Sequence, residues 1–183
     1  MPRTLSTADD RREAVLDSAI TVFAERGYLG TPTSAIAAQA EISTAYVFKL
    51  FPRKESLFVA ALDRCFGRIE EALEHGARRA DGGTPDEILE AMGDAYAELI
   101  ADRSLLMLQV HAQSACDIPE IRDELRRGLA RITRFATVRS GAEPAAIQRF
   151  IAYGQLCHLI VTTGLEEVPE TWARALTDGI RHP

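Results

Sequence analysis

The chain has 183 residues, enough for a buried core in one domain or two small ones, and its 46% hydrophobic and 26% charged residues are those of a soluble globular protein. No apolar run approaches the ~20 residues that span a bilayer, so no membrane partner is expected, and the opening MPRTLSTADDRRE lacks the apolar core of a signal peptide. Three widely spaced cysteines, Cys65, Cys116 and Cys157, fit buried thiols in a reducing cytoplasm rather than a disulfide frame, and the net charge of −6 gives no sign of a nucleic-acid binder on its own.

After a polar start over residues 1–8, Val15, Ala19, Val22 and Phe23 form one apolar face and predict a first helix from Asp10 to Arg26, ended by Gly27. Thr31 can cap a second helix with Pro32 in its first turn. Ile36 and Ala40 then share a face until Glu41-Ile42-Ser43 breaks the pattern. Ser43 can cap a third helix, Thr44 to about Phe51, which stops before Pro52. Two short capped helices around a tight turn make a helix-turn-helix, whose second helix can enter a DNA major groove. A long fourth helix starts near Arg53, and Leu57, Phe58 and Ala61 should close the core of the first three.

Thr84-Pro85-Asp86-Glu87 is a cap, a first-turn proline and a glutamate three residues on, a strong helix start. Ile88, Met92, Ala95 and Leu99 give that helix one stripe. Further helices are expected from Ser104 to about Ala115, from Asp117-Ile118-Pro119-Glu120 to about Arg139, from Pro144 to Gly164, and briefly after Pro169. No strand alternation occurs. The class is all-α: an N-terminal three-helix helix-turn-helix domain, residues 1–55, followed by a C-terminal helical bundle domain, residues 56–183.

Charge is unevenly shared. Residues 1–62 carry equal numbers of acidic and basic groups, so the whole acidic excess lies beyond them. Lys49, Arg53 and Lys54 cluster at the end of the third helix, and DNA affinity follows such a local face rather than the total. Thr44, Ala45 and Tyr46 would reach base edges, with Ala45 suited to a thymine methyl. Ser43, Lys49 and Lys54, with Thr31 and Ser34 at the second helix, are placed for phosphates.

The stretch TPTSAIAAQAEISTAYVFKLFPRKESL resembles the DNA-binding domain of the TetR family of bacterial regulators. Thr31, Ile36, Ala37, Ala40, Ser43, Phe51, Lys54, Glu55 and Leu57 match its pattern outright; Ile42, Val47 and Phe48 stand for its Val, Leu and Tyr. Upstream, Phe23, Gly27 and Tyr28 also fit. The likeness covers about the first third of the chain. Glu41 occupies the family's glycine, Leu50 replaces an aromatic, and Phe48 lacks the tyrosine hydroxyl that Tyr46 offers from a different angle.

The resemblance implies a ligand-responsive repressor that binds a palindromic operator in double-stranded DNA as a homodimer. It implies a small-molecule effector site, for which Met92, Tyr96, Met107, His111, Gln113 and Cys157 are candidates. The helix after Pro144 is apolar nearly all round. Ile147, Ile151, Gly154, His158 and Val161 on one face, with the stripe Ile121, Leu125, Leu129 and Ile132 before it, are candidates for an intersubunit four-helix bundle; a monomer burying both faces is the alternative. No metal-ligand spacing, catalytic triad or phosphate loop occurs, and no cofactor is expected. The rival function is an all-helical small-molecule carrier or enzyme that keeps the motif only as structure.

Overall fold

The computed structural model describes residues 8–180, so the polar opening lies outside the described residues save for Ala8. Nine α-helices follow in order: α1 Ala8–Gly30, α2 Thr33–Gln39, α3 Thr44–Leu50, α4 Lys54–Arg79, α5 Pro85–Ile100, α6 Arg103–Ser114, α7 Pro119–Ser140, α8 Pro144–Thr163 and α9 Thr171–Thr177. A single 3-10 turn, Leu165–Glu167, joins the last two, and no strand occurs among the described residues.

Local signals set most of these limits. Thr84 and Glu87 form a reciprocal capping box on α5, with the Thr84 amide donating to Glu87 Oε2 at 2.7 Å. Asp102 caps α6 by accepting from the Ser104 amide at 3.1 Å. Left-handed Gly141 and Gly164 end α7 and α8. Two starts differ from expectation. Asp117 does not cap α7; Ile118 is the N-cap, its aliphatic side chain can accept no hydrogen bond, and Pro119 at the first position fixes the backbone for the helix. Pro32, not Thr31, is the N-cap of α2.

α4 is the axis of the molecule. Its first turns close the head formed by α1–α3, with Leu57, Phe58 and Ala61 fully buried as expected. Phe58 lies edge-on to Phe23 at 4.8 Å and to Tyr28 at 5.4 Å. Its later turns pack on α5 and α7. These contacts need glycine: a β-carbon at Gly76 would stand 2.3 Å from the Ala91 carbonyl, and one at Gly128 2.1 Å from the Phe66 ring. One apolar core runs unbroken from Val15 in α1 to Ile147 in α8. Ion pairs fasten α4 to the head, with Asp17 accepting from both Arg64 at 3.0 Å and Arg68 at 2.7 Å.

Candidate nucleic-acid interface and the internal cleft

α2 and α3 are short, and each buries one edge. Ile36 and Ala37 face inward from α2 and Val47 from α3. That orientation turns Ser34, Ala45, Phe48 and Lys49 outward, with Thr44 and Tyr46 half-exposed beside them. Ser43 caps α3 as expected, its hydroxyl accepting from the Tyr46 amide at 3.2 Å. The turn before it carries Glu41 at φ 54°, the one non-glycine residue in the left-handed region among those described. The glycine turn geometry is thus kept with a residue that strains in it.

Thr31 requires a correction. It is fully buried, and its hydroxyl donates to the Gly27 carbonyl at 2.7 Å, with the Val22 carbonyl at 3.3 Å. Gly27 turns the chain at φ 70° and leaves carbonyls that the threonine satisfies. Its side chain therefore locks α1 to α2 and does not face a phosphate. Lys54 also has a role at home: its ammonium sits 4.6 Å over the Tyr28 ring and donates to the Leu29 carbonyl at 3.5 Å. Tyr28 in turn donates to Glu55 at 2.7 Å, which holds that carboxyl below its usual range.

Sequence reasoning missed the contribution of α1 to this face. Arg11 lies 5.6 Å from the Tyr46 ring centre, and Lys49 6.0 Å. Arg12 lies 4.2 Å from the Phe51 ring and donates to the Leu50 carbonyl at 3.3 Å. The pair Arg11-Arg12 was visible, but only the fold carries it beside α3.

Among α4–α8 lies a cleft of about 380 Å³. Of the candidate effector residues it brings together Tyr96 and Cys157, and adds Gln109, a buried amide in an otherwise apolar stretch of α6. Gln109 donates to the Tyr96 hydroxyl at 3.3 Å, and that hydroxyl lies 2.7 Å from His158 Nε2. Burial pushes the His158 pKa down to about 4 and the Tyr96 phenol up. The other four candidates line no part of the cleft. Met92 is fully buried in the core, Met107 packs on the small cluster around Ile100, and exposed Gln113 pairs with Gln155 at 2.7 Å. His111 lies 3.1 Å through Nε2 from the Ala24 carbonyl.

Most of the candidate dimer residues pack within the single chain. Ile121, Leu125 and Ile132 are buried against the chain's own core, leaving only Leu129 of that stripe exposed, at 37%. On α8, Ile147 and His158 are buried and Ile151 packs on the core. Val161 packs on the Ile100 cluster, and a β-carbon at Gly154 would meet Tyr96 of the same chain at 3.8 Å. That face looks inward. The outward stripe is Ala152, Leu156 and Leu159, with Leu159 49% exposed, and Trp172 of α9 is 55% exposed.

Among the described residues no helix is long and apolar enough to cross a membrane, and no group of three or more His, Cys, Asp or Glu could hold a metal ion.

Residues 15–61 match the profile of bacterial regulatory proteins of the tetR family. The HTH-type transcriptional repressor KstR of Mycolicibacterium smegmatis is 32% identical over 83 residues, 45% of this chain and 40% of the repressor. The match therefore spans less than half the length of that curated relative. The fold extends further than the sequence likeness. The transcriptional regulator FadR of Bacillus subtilis, solved with stearoyl-CoA, superposes with a TM-score of 0.70 over 92% of this chain and 98% of its own, at 19% identity. The multidrug binding protein EbrR, solved with proflavin, superposes with a TM-score of 0.61 over 91% of this chain and 98% of its own, at 21% identity.

Proposed function

We propose that this chain, which belongs to the tetR family of bacterial regulatory proteins, is a ligand-responsive repressor that binds a palindromic operator as a homodimer. Residues 1–55 are its reading head and residues 56–183 its effector and dimerisation body, with α4 shared between them. The observation that carries the reading is the outward face of α3. Val47 anchors that helix, while Ala45, Lys49 and a 45% exposed Phe48 point to solvent. An aromatic left half in water on a capped seven-residue helix, beside Arg11 and Lys49, suits base edges and phosphates better than it suits a monomer's surface.

In this reading Ala45, Tyr46 and Phe48 meet base edges, while Ser34, Ser43, Thr44, Lys49 and Arg11 hold the backbone. Two heads about 34 Å apart would occupy successive major grooves. The exposed stripe of α8, with Trp172, supplies an apolar surface for the second subunit. The cleft is the effector site. FadR and EbrR carry very different molecules in the same fold, so the fold leaves the ligand open.

A gel shift with the DNA flanking the chain's own gene tests the reading. A shift that weakens steeply with salt and survives competition by unrelated DNA is expected. Absence of any sequence-selective shift returns the chain to the class of helical small-molecule carriers.

A further inference from the structure

The cleft has a chemical bias. Its volume of about 380 Å³ falls within the range of small-molecule sites, and its walls are apolar and aromatic, with Phe66, Tyr96, Phe150 and Tyr153 among them. Four charged side chains line it, and three are carboxylates. Asp86, Glu90 and Asp94 stand four residues apart on α5 and so form one row along one wall. The row begins at exposed Asp86 and Glu90 and ends at half-buried Asp94, next to Gly93 and Tyr96. One ion pair of α5, Glu98 with Arg79 at 3.2 Å, lies beyond it. Asp94 is engaged by a neighbour, whereas Asp86 and Glu90 have no ion-pair partner among the described residues.

The positive side is thin. Arg149 is the single basic side chain on the lining, and it is exposed. Behind the Tyr96 wall, His158 is 5% exposed and its Nδ1 has no hydrogen-bond partner. Its lowered pKa keeps the imidazole neutral near pH 7, so it adds no cation to the interior. An anion entering here would pass the carboxylate row; a cation would be drawn along it and would meet aromatic faces inside.

We propose that the cleft takes a lipophilic cation of drug size, with its aryl or alkyl body among Phe66, Tyr96 and Phe150 and its positive charge on the Asp86–Glu90–Asp94 row. This deepens the effector reading and rests on it only for the regulatory consequence.

The test uses tetraphenylphosphonium and tetraphenylborate, two ions of nearly equal shape and opposite charge, titrated calorimetrically into the whole chain without DNA. Tetraphenylphosphonium is expected to bind at least tenfold more tightly. The triple variant D86N/E90Q/D94N should lose at least tenfold in phosphonium affinity. A control, E25Q/E71Q, removes two exposed carboxylates that do not line the cleft and should change nothing. Arg149→Gln should hold the phosphonium as tightly or more so, which gives a second reading should the triple variant fold poorly. Equal or tighter binding of the borate overturns the proposal. So does a triple variant that keeps its affinity, a control that loses as much, or loss of phosphonium binding in Arg149→Gln. A gel shift run separately tells the two readings apart. Charge-selective binding by a chain that shifts no operator leaves the ligand class standing and removes the regulator. A chain that shifts its operator and shows no charge selectivity does the reverse.

Discussion

His111 of α6 and Ala24 of α1 are joined by a hydrogen bond of 3.1 Å from imidazole Nε2 to the backbone carbonyl. A carbonyl only accepts, so Nε2 carries the proton, and Nδ1 then turns toward Gly27, where an added β-carbon would stand 3.0 Å away. The bond lies where α1 kinks, and it ties the head to the body. His111→Ala removes the donor and leaves a half-buried carbonyl to water. The expected loss is about 1–2 kcal/mol, read from the urea midpoint with an unchanged slope. No change in midpoint would mean that water replaces the imidazole without cost.

His158 makes stability depend on pH in a defined direction. Its folded pKa of about 4 lies below the ordinary histidine value, because burial disfavours the imidazolium. Between those two values the unfolded chain binds a proton that the folded chain refuses. This contribution is therefore flat above about pH 6.5 and falls as pH drops towards 4, by on the order of 3 kcal/mol in all. Urea unfolding of wild type and His158→Gln from about pH 7 to about pH 4.5 isolates it: the wild-type curve should fall more steeply. Parallel curves would show that the histidine charges without penalty.

Glu41 holds φ 54° in the turn between α2 and α3. Glutamate pays for that conformation and glycine does not, so Glu41→Gly should stabilise the chain by about 0.5–1 kcal/mol, net of glycine's extra freedom when unfolded. A raised melting temperature with unaltered operator affinity is the expected result. A lowered one would place the glutamate carboxylate in a favourable contact that outweighs the strain.

Lys49 is exposed at the end of α3, whereas Lys54 is held by Tyr28 and the Leu29 carbonyl. Lys49→Ala should weaken operator and unrelated DNA alike and flatten the salt dependence by about one charge. Lys54→Ala should lower thermal stability, with a smaller effect on the salt slope. Equal slopes in wild type and Lys49→Ala would take that ammonium off the phosphate path.

Leu159 lies on the outward stripe of α8, 49% exposed in the single chain. A charge buried there against its symmetry mate would be opposed by a like charge, so Leu159→Glu should give a monomer with its helix content kept and operator binding lost. Sedimentation at micromolar concentration decides the point. A monomeric wild type, or a variant that stays dimeric, moves the interface off this stripe.

The helices were legible because their signals are local. Caps, first-turn prolines and left-handed glycines act within four residues, and the Thr84–Glu87 box can be read letter by letter. The second helix and turn of the motif were legible for the same reason. What failed depends on which way a side chain turns. Thr31 before Pro32 reads as a cap, but the kink at Gly27 brings carbonyls close enough to claim its hydroxyl. α8 is apolar on two faces, and periodicity gives their spacing without saying which looks inward. Ile147, Gly154 and His158 thus belong to the body, and Leu159 to the outside. The single polar letter in LLMLQV, Gln109, was a visible sign of a buried polar group and went unused.

α4 joins these parts in a way that sets a scale for motion. Leu57 is sealed into the head, and Leu73 lies on the wall of the cleft. Sixteen residues of helix separate them, roughly 24 Å along the axis. On an arm of that length, a tilt of about 5° swings the far end by about 2 Å. Mirrored in the second subunit of the proposed dimer, this would alter the separation of the heads by up to about 4 Å, against a groove-to-groove repeat of about 34 Å. A rod of unbroken α-helix thus turns a small change of angle at one end into a change of gauge at the other.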